Sequence, residues 1–107
     1  MPRKNPETKF KEAVQEDLKT IPCWFSKIQQ VAIRGIPDII LCVAGHFVAL
    51  ELKIDSPVTE LQKYNIRKIK QSGGTAYVVT PNNWKKIFQQ LKRMAHGKNR
   101  ANVQDVE

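Results

Sequence analysis

At 107 residues, 41% hydrophobic and 26% charged, the chain has the composition of one small globular domain with room for a single core. No apolar run approaches the roughly 20 residues that span a bilayer. Met1-Pro2-Arg3-Lys4 is not followed by the apolar stretch of a signal peptide, so a cytoplasmic protein with no membrane contact is expected. Eighteen Lys and Arg against ten Asp and Glu give a net charge of +8. That charge suits a polyanionic partner, nucleic acid first, although solubility alone is the plainer reading of it.

The elements follow in chain order. Asn5-Pro6-Glu7 combines an N-cap, a proline for the first turn and an acid at the positive end of a helix. Glu7, Phe10, Val14, Leu18 and Ile21 share one stripe at helical spacing, and Pro22 ends the helix near Thr20. Trp24 to Ile28 reads as a strand and 29–35 as a loop. Residues 38–43 and 47–53 are two apolar strands broken by Gly45-His46, which predicts a hairpin. Cys42 falls inside the first of these and is read as an inert core thiol; Cys23 falls in a turn or strand start. The two cysteines have no CxxC spacing, so neither zinc nor a disulfide framework is indicated.

Asp55-Ser56-Pro57 is a turn, and Thr59-Glu60-Leu61-Gln62 has the form of a capping box opening a helix to about Gln71. Gly73-Gly74 stops that helix, and 75–80 is a short buried strand. A last helix starts at Pro81-Asn82-Asn83, with Trp84, Ile87, Phe88, Leu91 and Met94 on its core face. The domain is expected over 1–95, with a polar tail over 96–107. The order α-β-β-β-α-β-α predicts a central mixed β-sheet flanked by helices. The strands on either side of the second helix should be parallel, because that connection is long enough for a crossover.

The chemistry concentrates at Asp38, Glu51 and Lys53. The hairpin brings Asp38 back beside Glu51, and Lys53 shares the Glu51 face of its strand. Two acids and one ammonium on one patch are what metal-assisted phosphodiester cleavage needs. The acids hold Mg²⁺, and the lysine neutralises charge and orients the attacking water. Glu51 and Lys53 could instead be an exposed same-face pair. Against that, their strand is sequentially central, and burying a lone Glu is costly unless a cation compensates it.

Gly35-Ile36-Pro37-Asp38, Glu51-Leu52-Lys53, Gln62 and Gly73-Gly74 before a strand together resemble the PD-(D/E)xK nuclease superfamily. Within it the chain is most similar to the VRR-NUC (virus-type replication-repair nuclease) group of phages and repair proteins, with a layout like that of archaeal Holliday-junction resolvases. The resemblance spans about residues 5 to 92. It implies a restriction-endonuclease-like core and Mg²⁺-dependent cleavage of DNA, with Mn²⁺ able to substitute. It also implies duplex or branched substrates and a homodimer that presents two sites. By the same resemblance Asp38 and Glu51 are the metal-binding acids, the Leu52 backbone carbonyl is a further ligand and Lys53 is the catalytic lysine. Gln62 then supports the site, or serves only its capping box.

The family also places an acid on the first helix, which by the same resemblance is catalytic and joins the metal ligands through water. With Val14 at the centre of the apolar stripe, Glu7 lies about 20° away and Asp17 about 60° away on the other side, whereas Glu12 and Glu16 lie nearly opposite. Glu7 is therefore preferred and Asp17 held in reserve; Glu7 could equally be a first-turn charge on the helix dipole. Lys63, Arg67 and Lys70 form a basic stripe suited to tracking phosphates, and Arg34 could touch the scissile strand. A solvated face and a plain connector are the corresponding simpler readings. A non-catalytic nucleic-acid-binding module on the same fold is the rival to the nuclease, and the retained acids argue against it.

Overall fold

The computed structural model describes residues 5–29 and 34–97. Residues 30–33 of the expected loop and most of the expected tail lie outside the described residues. Helix α1 (Pro6–Leu18) opens as the sequence predicts: Asn5 Oδ1 accepts the Thr8 N–H at 2.7 Å, and Pro6 occupies the first turn. Four strands follow the predicted order: β1 (Trp24–Lys27), β2 (Ile39–Val43), β3 (His46–Leu52) and β4 (Thr75–Val79). Helix α2 (Glu60–Gln71) lies between β3 and β4, and α3 (Trp84–His96) closes the described chain. The architecture is α/β.

The sheet runs β1-β2-β3-β4 in space; the first two pairings are antiparallel and β3–β4 is parallel. The β2–β3 turn is tighter than the sequence alone specifies. Ala44 and Gly45 have φ of 49° and 85°, both left-handed, as a two-residue type I′ turn requires. His46 is consequently the first residue of β3, paired with Val43, and not a turn residue. The turn sets the register Ile39↔Leu50, so the next residues outward, Asp38 and Glu51, face each other.

Alternation divides the sheet. Ile39, Leu41, Val43, Val48, Leu50 and Val79 point to one side, where Val14 and Leu18 of α1 and Trp84, Ile87 and Leu91 of α3 complete the core. Full burial of each large aliphatic side chain contributes roughly 1.5–3 kcal/mol. Trp84 also donates its Nε1–H to Asp17 Oδ2 at 2.8 Å, tying α3 to α1 across 67 residues. Helix α2 packs on the opposite face, mainly over β4.

The same alternation corrects the reading of the cysteines. Cys42 lies between Leu41 and Val43 but faces away from the core and is exposed. Apolar neighbours on a strand do not bury a residue whose side of the sheet is uncovered. Cys23 is the thiol packed against the core: its Sγ lies 3.6 Å from the Leu18 carbonyl, and burial raises its pKa, with a smaller contribution from Cys42.

The approach to the site is held by Gly35. At φ 79° it takes a left-handed conformation, and a Cβ there would sit 2.7 Å from Leu61 Cγ. Its carbonyl accepts the Asn65 Nδ2–H at 2.9 Å, so the segment leading to Pro37-Asp38 lies directly on α2.

Candidate active site

Asp38 is placed by its backbone before its side chain acts. Its N–H donates to the Leu50 carbonyl at 3.0 Å, and its own carbonyl accepts the Ile28 N–H at 2.8 Å. Pro37 just before it is buried. Asp38 Oδ2 accepts the Leu52 N–H at 2.8 Å, bridging the open end of the hairpin. On an extended strand a residue's N–H and C=O point to the same edge, so the Leu52 carbonyl faces Asp38 as well.

Glu51 is 4% exposed and is the one buried charged residue of the described structure. Gln62 Nε2 donates to Glu51 Oε2 at 2.7 Å. Lys53 Nζ lies 3.8 Å from the same oxygen. Gln62 makes contacts in both directions, to its capping box and to Glu51. Its Oε1 accepts the Thr59 N–H at 2.9 Å, and its own N–H donates to Thr59 Oγ1 at 3.1 Å, closing the capping box. One amide thus uses its oxygen to start α2 and its nitrogen to hold Glu51, which orients the carboxylate from a rigid element.

The Glu51 carboxyl is pushed up to about 7. Burial is the largest cause and the Asp38 charge the next; the Lys53 ammonium draws the value down, a hydrogen bond with the Asp38 carboxyl raises it, and Lys11 lowers it. Two carboxyl groups close enough to share a proton, one of them nearly buried, form a pair whose full ionisation needs a cation.

These side chains line one cleft of about 210 Å³, together with Glu7, Phe10, Lys11, Leu52, Ile54 and Ser56. Glu7 is exposed on its wall, one helical turn from Lys11. Asp17, the reserve acid of α1, is committed to the Trp84 indole and does not line the cleft. Lys11 was not singled out from the sequence. Its Nζ lies 3.8 Å from Asp38 Oδ1, which places a second ammonium in the site. The signal was present in the helical wheel, where Lys11 lies about 40° from Glu7 on the same side of the apolar stripe.

The donor set fits a hard divalent cation. Mg²⁺ is commonly held by one or two carboxylates and keeps several waters, and Asp38, Glu51 and the Leu52 carbonyl offer that arrangement at one end of the cleft. Among the described residues no three His, Cys, Asp or Glu side chains form a metal-ligating group, so Glu7 stands apart from the acid pair.

The basic residues lie elsewhere. Lys63, Arg67 and Lys70 line a separate groove of about 460 Å³ with Val58, Ile66 and Val78. Lys63 pairs with Glu60 at 3.3 Å, and the Arg67 guanidinium lies 5.8 Å from the Tyr64 ring centroid. Arg34 is exposed before Gly35 and does not line the acid cleft. Among the described residues no helix is long and apolar enough to cross a membrane. Compared with family models, with curated proteins and with solved structures, the chain matches none.

Proposed function

We propose that this protein is a Mg²⁺-dependent endonuclease of the PD-(D/E)xK type, similar to the VRR-NUC group, with a restriction-endonuclease-like core. We propose further that it hydrolyses phosphodiester bonds of duplex or branched DNA in the cytoplasm as a homodimer. One observation carries the reading: the Asp38 and Glu51 carboxyl groups meet in a cleft where Gln62 and Lys53 both converge on Glu51 Oε2, at 2.7 and 3.8 Å.

Asp38, Glu51 and the Leu52 carbonyl would hold Mg²⁺ (or Mn²⁺ in its place), which supplies charge neutralisation at the scissile phosphate. Gln62 holds Glu51 through Oε2 and so fixes the carboxyl group within the cleft. Lys53 orients the attacking water and stabilises negative charge as the water loses its proton. Glu7, on the cleft wall, would reach the metal through water. Lys63, Arg67, Lys70 and Arg34 track the phosphates of the flanking DNA, contacts that position the duplex without reading its sequence.

The test is cleavage of supercoiled plasmid and of defined four-way, flapped and nicked DNAs, in Mg²⁺ and in EDTA. Wild type is expected to cut only with the metal. Lys53→Ala and Asp38→Asn are expected to bind DNA and leave it intact. Cleavage by Lys53→Ala at the wild-type rate would overturn the assignment. Binding with no metal-dependent cleavage by the wild type would leave the non-catalytic module as the better account.

A further inference from the structure

We infer that Lys11 is a second phosphate-binding cation, held on Asp38 until a divalent metal takes its place and releases it to the substrate. The inference rests on the nuclease reading above. Lys11 rises from α1 on the cleft wall, with its Nζ 3.8 Å from Asp38 Oδ1. That separation is too long for a hydrogen bond, so charge alone holds the ammonium there. Both side chains are about a third exposed, at 32% and 28%, and an ion pair this open contributes little to stability. The fold therefore does not depend on the contact, and the flexible lysine stem can reorient within the cleft.

The charges explain where it would go. Lys53 stands on Glu51 and Lys11 on Asp38, so each carboxyl group of the pair has one ammonium beside it. A divalent cation on the acid pair satisfies both carboxylates at once and leaves the cleft with an excess of positive charge. Lys53 is kept at its post by burial, its side chain only 13% exposed. Lys11 is the more exposed of the two and comes from a different element, so it is the one free to turn to a phosphate oxygen on the α1 side. The metal and Lys11 compete for Asp38 before DNA arrives, and they cooperate on the phosphate afterwards.

Competition and cooperation have opposite signatures in one variant. For Lys11→Met, Mg²⁺ titration of the DNA-free protein, followed by thermal shift and calorimetry, is expected to show several-fold tighter binding, because no ammonium contests Asp38. DNA affinity in Ca²⁺ should fall, with the slope of log K against log[salt] shallower by about 1. The kcat in saturating Mg²⁺ should drop by about 10²-fold. Lys11→Arg keeps the charge and should restore the salt slope. A purely structural lysine would move none of these in opposite directions. Unchanged Mg²⁺ affinity together with an unchanged salt slope overturns the role of Lys11, whatever the cleavage result. A wild type that never cuts, yet shows the metal and salt effects at Lys11, overturns the nuclease reading and leaves the competition at Asp38 standing.

Discussion

Glu51→Gln isolates the cost of the charge that the fold has buried. The folded protein holds this carboxyl at about 7, against 4.5 for an unperturbed glutamate. Between those values the folded state binds more protons at this position than the unfolded state. Metal-free stability therefore falls as the pH rises through that window, and the loss is complete above it. The shift corresponds to roughly 3 kcal/mol at pH 8. Gln has the shape of the protonated acid and can still accept the Gln62 Nε2–H, a contact of 2.7 Å in the native protein. In urea denaturation at pH 8 with EDTA, the variant should be more stable than wild type by about that amount. At pH 5, where Glu51 is largely neutral in the folded state, the gap should shrink to well under half. Mg²⁺ should close it from the other side by stabilising wild type alone. A Gln variant that is less stable than wild type at pH 8, or a gap independent of pH, would refute the reasoning.

Two further outcomes are expected. Trp84→Phe removes the indole donor that meets Asp17 Oδ2 at 2.8 Å, so denaturation should show a loss of about 1–2 kcal/mol; plasmid cleavage per folded molecule should not change, because neither residue lines the cleft. Replacing Lys63, Arg67 and Lys70 together with Ala should make the salt dependence of DNA binding shallower by about three phosphate contacts, while kcat on saturating DNA persists.

Much of the fold was legible because its signals are local. Asn5-Pro6, Thr59-x-x-Gln62 and Gly73-Gly74 mark helix ends through hydrogen bonds made within a few residues, and each element appears where its signal stands. The hairpin was legible for the same reason: a short turn between apolar strands leaves few ways to pair them. Cys42 was misread because strand alternation says which residues share a face, not which face is covered. Lys11 was overlooked because its importance depends on α1 crossing Asp38, a contact 27 residues away in sequence that no local pattern records.

By itself the sequence determined the seven elements, a hairpin that brings Asp38 back beside Glu51, and the placing of Lys53 on the Glu51 side. These follow from turns, caps and periods of two and 3.6 residues. Only the tertiary structure decided how the elements meet. It assigned Asp17 to the Trp84 indole and Glu7 to the cleft, gave Gln62 both of its contacts, added Lys11, and separated the basic groove from the acids. Each of these depends on which side chains the packing of helices on the sheet brings within a few ångströms. That distance depends on the whole core and cannot be read from any one segment.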